Sequence, residues 1–227
     1  MPMELTGISQ GKRVFYSIFV PPLVFVPIGV PLFLLGVDVP IIRDAWYSSI
    51  FISCVFIAIR DKTPLSQIGL SKQKLGLSLL WACVWEALTF FLLGVVPFFA
   101  LTEKLPILVP LNETMIAPAL HFTLVSLAEE TWMRGLLLRR LTEWKPKGSA
   151  PVIWSSTIFV LFHVPAASPL IIQDVSIVPF LALSWFTLFI WSAGLALIAL
   201  KTGNLFGPIV AHGVDDFVSK VLYRLQM

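Results

Sequence analysis

Val14 to Gly36 reads VFYSIFVPPLVFVPIGVPLFLLG, 23 residues without one Asp, Glu, Lys, Arg or His. About 20 consecutive apolar residues cross the hydrocarbon core of a bilayer as a helix, so this run is long enough to span. Lys12-Arg13 stands immediately before it, which is the outline of a secretory signal. The run is longer than the roughly 7 to 15 residues of a signal h-region and lacks an A-x-A cleavage site. It predicts an uncleaved first helix, kinked by Pro21, Pro22, Pro27 or Pro31.

Outward from this run, apolar segments recur at about 45–59, 75–101, 115–138, 151–171, 175–200 and 204–222. The expected fold is an all-α, polytopic transmembrane helical bundle of about seven to eight spans, with any active site between helices. Residues 1–227 read as a single integral membrane domain, and 115–222 as its chemistry-bearing core. The 75–101 segment is long enough to be tilted or broken. No internal repeat and no low-complexity linker interrupts the series. Composition agrees: 57% of the 227 residues are hydrophobic and 13% charged. A soluble domain carries about 25% charged residues, so this chain has too few to coat a water-facing surface.

The net charge of +3 and pI near 9.0 do not indicate a nucleic-acid partner, because the basic residues sit between apolar runs, where membrane topology accounts for them. Lys12 and Arg13 precede the first span; Arg60, Lys62, Lys72 and Lys74 follow the second; Arg139, Arg140, Lys145 and Lys147 follow the fourth. The intervening loops hold Arg43 and Lys104, and the loop at Gln173-Asp174 holds no basic residue. Positive residues are retained inside, so the amino terminus is expected in the cytoplasm and the chain in the cell membrane. Lys220 and Arg224 would then lie outside: either the last segment is re-entrant or the rule fails on a short tail. Cys54 and Cys83 lie in apolar runs with no metal or redox spacing and read as small buried hydrophobes.

Ionisable side chains within spans are costly and mark functional sites or buried pairs. Glu86, His121, Glu129, Glu130, Arg134, His163, His212, Asp215 and Asp216 are such residues, and they include all three histidines. Glu130 and Arg134 are one helical turn apart and share a face, while Glu129 points about 100° away. Arg134 can therefore neutralise Glu130 and leave Glu129 free to act as a base; alternatively the three form a charged helix end. Phe159 precedes His163 by one turn, and His212 precedes Asp216 by one turn, an offset at which a carboxylate can orient an imidazole. Counted at about 1.5 Å per residue from the cytoplasmic ends, Glu129, His163 and His212 each lie about 12 to 18 Å into the membrane.

Glu129-Glu130-x-x-x-Arg134, Phe159-x-x-x-His163 and His212-x-x-x-Asp216, in this order on three successive apolar segments, resemble the CPBP intramembrane protease family. That family includes the CAAX prenyl endopeptidases and the bacteriocin-processing and immunity proteins. The resemblance extends to Arg134-Gly135, to Lys201-Thr202-Gly203-Asn204-Leu205 and to Ile68-Gly69-Leu70. It implies an all-helical membrane fold and hydrolysis of a peptide bond in a membrane-associated protein or peptide. Glu129 would be the catalytic carboxylate and His163 its partner in activating water. Glu130 and Arg134 would support the geometry, and His212 with residue 216 would stabilise the oxyanion. The family often has asparagine at this last position; Asp216 donates only when protonated, so its expected role here is to orient His212.

The resemblance implies a protease of the glutamate type or a metalloprotease. Either no cofactor is needed or a divalent metal such as zinc binds Glu129, His163 and His212; the single-helix HExxH motif is absent. His121 reads as an interfacial or packed residue, and Glu86 as a cavity wall or an internal hydrogen-bond partner. Asp215 is an alternative carboxylate for His212. Gly203-x-x-x-Gly207-x-x-x-Ala211 is a small-residue stripe suited to close helix packing. Two other functions compete: a non-catalytic immunity or scaffold protein of the same fold, and a proton-coupled transporter, which the lack of an inverted repeat disfavours.

Overall fold

The computed structural model describes residues 9–96, 107–108, 112–144, 148–173, 178–219 and 223–224. Lys104, Lys145, Lys147, Asp174 and Lys220, on which part of the orientation argument rests, lie outside the described residues.

The structure is all-α. The first apolar run forms α1 (Gln10–Leu23) and α2 (Val26–Leu34). The division at Val24 and Phe25 follows from Pro21, Pro22 and Pro27, which withdraw three backbone donors within seven residues. Helix α3 (Val39–Arg60) begins with Pro40 in its first turn, where a missing N–H costs nothing. Helix α4 (Leu75–Thr89) widens into a π-helical stretch over Phe90–Val95. Helix α5 (Ile116–Glu130) likewise widens over Thr131–Leu138 and continues as α6 (Arg139–Trp144). Helix α7 (Ala150–Gln173) is followed by α8 (Val178–Thr202), Gly203 in the left-handed region, and α9 (Phe206–Phe217). The described strands are a two-residue antiparallel pairing of Ile107–Leu108 with Tyr223–Arg224.

Among the described residues four helical runs are long and apolar enough to cross a membrane: Gln10–Leu34, Val39–Arg60, Leu75–Leu93 and Leu181–Thr202. The expected count of seven to eight spans therefore agrees only roughly. The last segment, expected over 204–222, is described to residue 219, as α9 followed by two π-helical residues.

All eight residues of the widened stretch Thr131–Leu138 are buried, so α5 is the central helix. Around it pack α3, α7 and α9, and α9 also lies along α4. The core joins Ile50, Cys54, Met133, Leu136, Phe159, Trp191 and Leu195. Cys54 is buried as expected, whereas Cys83 faces outward. Phe33, Leu35, Phe56, Ile59, Leu120 and Phe186 are exposed while Glu129, Glu130, Arg134, His212 and Asp216 are buried. Apolar outside and ionisable inside is the distribution that lipid requires.

Three short sequences far apart in the chain lock the helices together. Leu205 N donates to Gly69 O at 3.0 Å, and Gly69 needs its positive φ of 89° to present that carbonyl. A Cβ on Gly135 would lie 2.8 Å from Ile68 O and 2.9 Å from Leu205 Cδ1. Asn204, fully buried, donates from Nδ2 to Ser71 O at 2.6 Å and Gln73 O at 2.9 Å, and its Oδ1 accepts from Phe206 N at 2.9 Å at the start of α9. Gly207, on the small-residue stripe, packs directly on the Ser78 backbone of α4, and its N–H donates to Ser78 Oγ at 3.2 Å.

Candidate active site

The successive carboxylates at the end of α5 face different surroundings because neighbouring helical residues diverge by about 100°. Glu130 is completely buried; its Oε1 lies 3.0 Å from Arg134 NH1 and accepts from His212 Nδ1 at 2.8 Å. Arg134 also donates from NH2 to Ser192 Oγ at 2.9 Å and Ser192 O at 3.3 Å, and its guanidinium sits 4.6 Å over the Phe159 ring. The cation is thus held by α5, α7 and α8 together.

Glu129 turns toward a cavity of about 160 Å³ whose walls include Tyr47, Ile50, Trp132, Met133, Phe159 and His163. Its Oε2 has no hydrogen-bond partner among the described residues and lies 3.8 Å from His212 Nε2. His163, which also lines this cavity, donates from Nδ1 to Phe159 O at 2.9 Å, since a carbonyl oxygen can only accept. That bond assigns the ring proton to Nδ1 and leaves neutral His163 with a lone pair at Nε2.

His212 differs from its expected arrangement. Asp216 approaches Nε2, at 3.6 Å, rather than Nδ1. The carboxylate that engages Nδ1 is Glu130, from another helix, and the edge of the ring is packed at 4.9 Å against Trp191. Carboxylate oxygens therefore face both ring nitrogens, and both can donate when the ring carries its second proton.

Glu86 lies beside this centre as a hydrogen-bond partner, accepting from Trp191 Nε1 at 3.0 Å, and with Asp215 it lines a separate groove on the α4–α9 side. His121 is held against Asp44 of α3 through Nδ1, which makes it a helix-to-helix contact. Sequence reasoning passed over Tyr47, Trp191 and Ser192. For Tyr47 the available signal was its place one turn after Asp44 in an otherwise apolar span.

Among the described residues no group of three or more His, Cys, Asp or Glu side chains is disposed to hold a metal ion. Glu129 lies 3.8 Å from His212 Nε2 and shares a cavity with His163, while His212 Nδ1 is taken by Glu130.

These features define a polytopic helical membrane protein with a carboxylate–histidine centre buried among its helices. Residues 111–218, just under half of the chain, match the family model of the type II CAAX prenyl endopeptidase Rce1-like proteins. This stretch holds all three motifs, and the match supports the resemblance to the CPBP proteases that the sequence carries. No curated protein and no solved structure gives a match.

Proposed function

We propose that the chain is an intramembrane endopeptidase hydrolysing a peptide bond of a membrane-associated protein or peptide, with Glu129 as general base. The observation that carries this reading is that Glu129 and His163, from different helices, line one small cavity whose other walls are largely apolar. The Glu129 carboxylate, which lines the cavity, can take a proton from a water there, and the Nε2 lone pair of His163 can accept a hydrogen bond from the same water.

In the proposed step the water oxygen attacks the scissile carbonyl carbon as its proton passes to Glu129. The tetrahedral intermediate collapses with cleavage of the C–N bond, and Glu129 returns the proton to the departing amine. Glu130 and Arg134 hold the centre in place, and His212 brings positive charge to within 3.8 Å of Glu129 when doubly protonated. Asp216 balances that charge. In a water-poor cavity such fixed charges act more strongly than in solution. The Rce1-like match makes a prenylated C-terminus the first substrate class to examine. On this reading the chain works as one membrane domain, with its chemistry in 115–222 and its amino terminus in the cytoplasm of a cell whose plasma or inner membrane it spans.

The test maps new protein termini in membranes carrying the wild-type chain or Glu129→Ala, His163→Ala or His212→Ala. A farnesylated peptide with a CAAX end and its unprenylated twin serve as purified substrates. Wild-type cleavage lost in the variants is the expected result. Identical termini in all four membranes would end the peptidase reading and favour a binding-only or transport role.

A further inference from the structure

At one end of the bundle three arginines share two carboxylates. Asp61 holds Arg60 and Arg140, and Glu143 holds Arg139 and Arg140. Lys74 and Lys201 are exposed at the same end, joined by a 3.5 Å bond from Lys74 Nζ to Lys201 O, and have no ion pair among the described residues. Positive charge is therefore left over.

Beside these groups lies a second cavity, of about 250 Å³, with Arg134 and Arg139 in its wall. Leu200 and Gly203, which flank Lys201 in the chain, line it too, so the lysine pair stands next to it. Arg134 is neutralised by Glu130, at 3.0 Å. Arg139 is used less completely: Nε lies 2.9 Å from Glu143 Oε1, NH2 donates to Gln67 Oε1 at 3.1 Å, and NH1 makes no hydrogen bond among the described residues. Gln67 and Glu143 belong to the same wall, so they fix the guanidinium in place while donors remain on it.

The rest of the wall is largely apolar, with Leu138, Ala199, Leu200 and Leu205. Leu200 is 43% exposed and Leu197, one turn earlier on α8, is 47% exposed, on a helical run long and apolar enough to cross a membrane. An apolar track thus leads from the cations along the outside of the span. A small soluble anion would use only the cations; an amphiphile with a phosphate head uses both parts. Arginine pairs well with phosphate oxygens, and basic pockets between spans are suited to anionic headgroups.

We propose that this cavity binds an anionic phospholipid, its phosphate on Arg139 with Lys74 and Lys201 beside it and an acyl chain along Leu200 and Leu197. Neither Glu129 nor His163 lines this cavity, so the inference goes beyond the peptidase reading and does not depend on it.

The experiment follows thermal unfolding of the full chain in a neutral detergent during titration with phosphatidylglycerol, phosphatidylcholine or inorganic phosphate. A saturable rise in Tm with phosphatidylglycerol, unmatched by the other two, is expected. Arg139→Gln should weaken that response about tenfold or more, the effect of losing a hydrogen bond from a charged donor. The double variant Lys74→Gln with Lys201→Gln should weaken it severalfold, and because both residues are exposed it decides the question if Arg139→Gln does not fold. Lys62→Gln removes an exposed cation that does not line the cavity and should respond like the wild type. An equal response to phosphatidylcholine, wild-type affinity in the cavity variants, or the same loss in Lys62→Gln would overturn the site. The full shift with inorganic phosphate alone would overturn the lipid and assign the cavity to a free anion.

Discussion

His212 Nδ1 donates to Glu130 Oε1 across 2.8 Å, and that same oxygen lies 3.0 Å from Arg134 NH1. One carboxylate oxygen therefore ties α9 to the central helix and neutralises the cation one turn below it. Its neighbour Glu129 lines the cavity and makes no such close ion pair, its Oε2 lying 3.8 Å from His212 Nε2.

The two glutamates should consequently separate stability from activity. Glu130→Gln leaves the Arg134 cation buried without its counter-charge, and breaking a buried pair typically costs about 3–5 kcal/mol. Its thermal unfolding in detergent is expected to shift down strongly. Glu129→Gln should melt close to the wild type, within about 1 kcal/mol, while cleavage falls by about 10²- to 10⁴-fold, the range for loss of a general base. Equal destabilisation by the two substitutions would contradict the division of roles.

Asn204 is expected to be the most sensitive loop residue. Asn204→Ala removes both Nδ2 bonds and the cap on Phe206 N, and strands buried backbone groups. At about 1 kcal/mol for each such bond the loss is about 2–4 kcal/mol. Hydrogen exchange at the start of α9 is the direct readout, and unchanged protection there would refute the assignment.

Glycine positions supply a matched pair. Gly135→Ala places a methyl 2.8 Å from Ile68 O and is expected to cost about 1–3 kcal/mol through forced separation of the packed segments. Gly76→Ala, in the first turn of α4 with open space around it, is expected to be neutral or to stabilise by about 0.4–1 kcal/mol. Melting temperatures of the two variants decide the matter by their opposite signs.

Trp191→Phe deletes the donor that Glu86 Oε2 accepts from at 3.0 Å. Leaving that oxygen unsatisfied costs about 1–3 kcal/mol, and the double variant Trp191→Phe with Glu86→Leu should recover part of it. Additive destabilisation in the double variant would show that the two residues are not coupled.

Much of the helical layout was legible in the linear chain. Runs without charge are membrane-compatible whatever they pack against, and the one-turn spacing of Glu130 and Arg134 fixes a shared face within a single helix. The break at Val24 and Phe25 was legible as a proline kink but not as two helices. Asp216, one turn away on the same helix, does lie 3.6 Å from His212 Nε2, but the closer partner, Glu130 at Nδ1, comes from a different helix and left no local signal.

What the sequence by itself determined is the solvent and the contents of each helix face, because hydropathy and the 100° step are local properties of the chain. What only the tertiary structure decided is which faces meet. Rotation of one helix against another is set by close approaches such as Gly135 on Ile68 and Gly207 on Ser78, and by the Asn204 pins. Those contacts join residues more than 60 positions apart, and no local periodicity records them. Through them Glu129, His163 and Tyr47, from three separate helices, come to line one cavity.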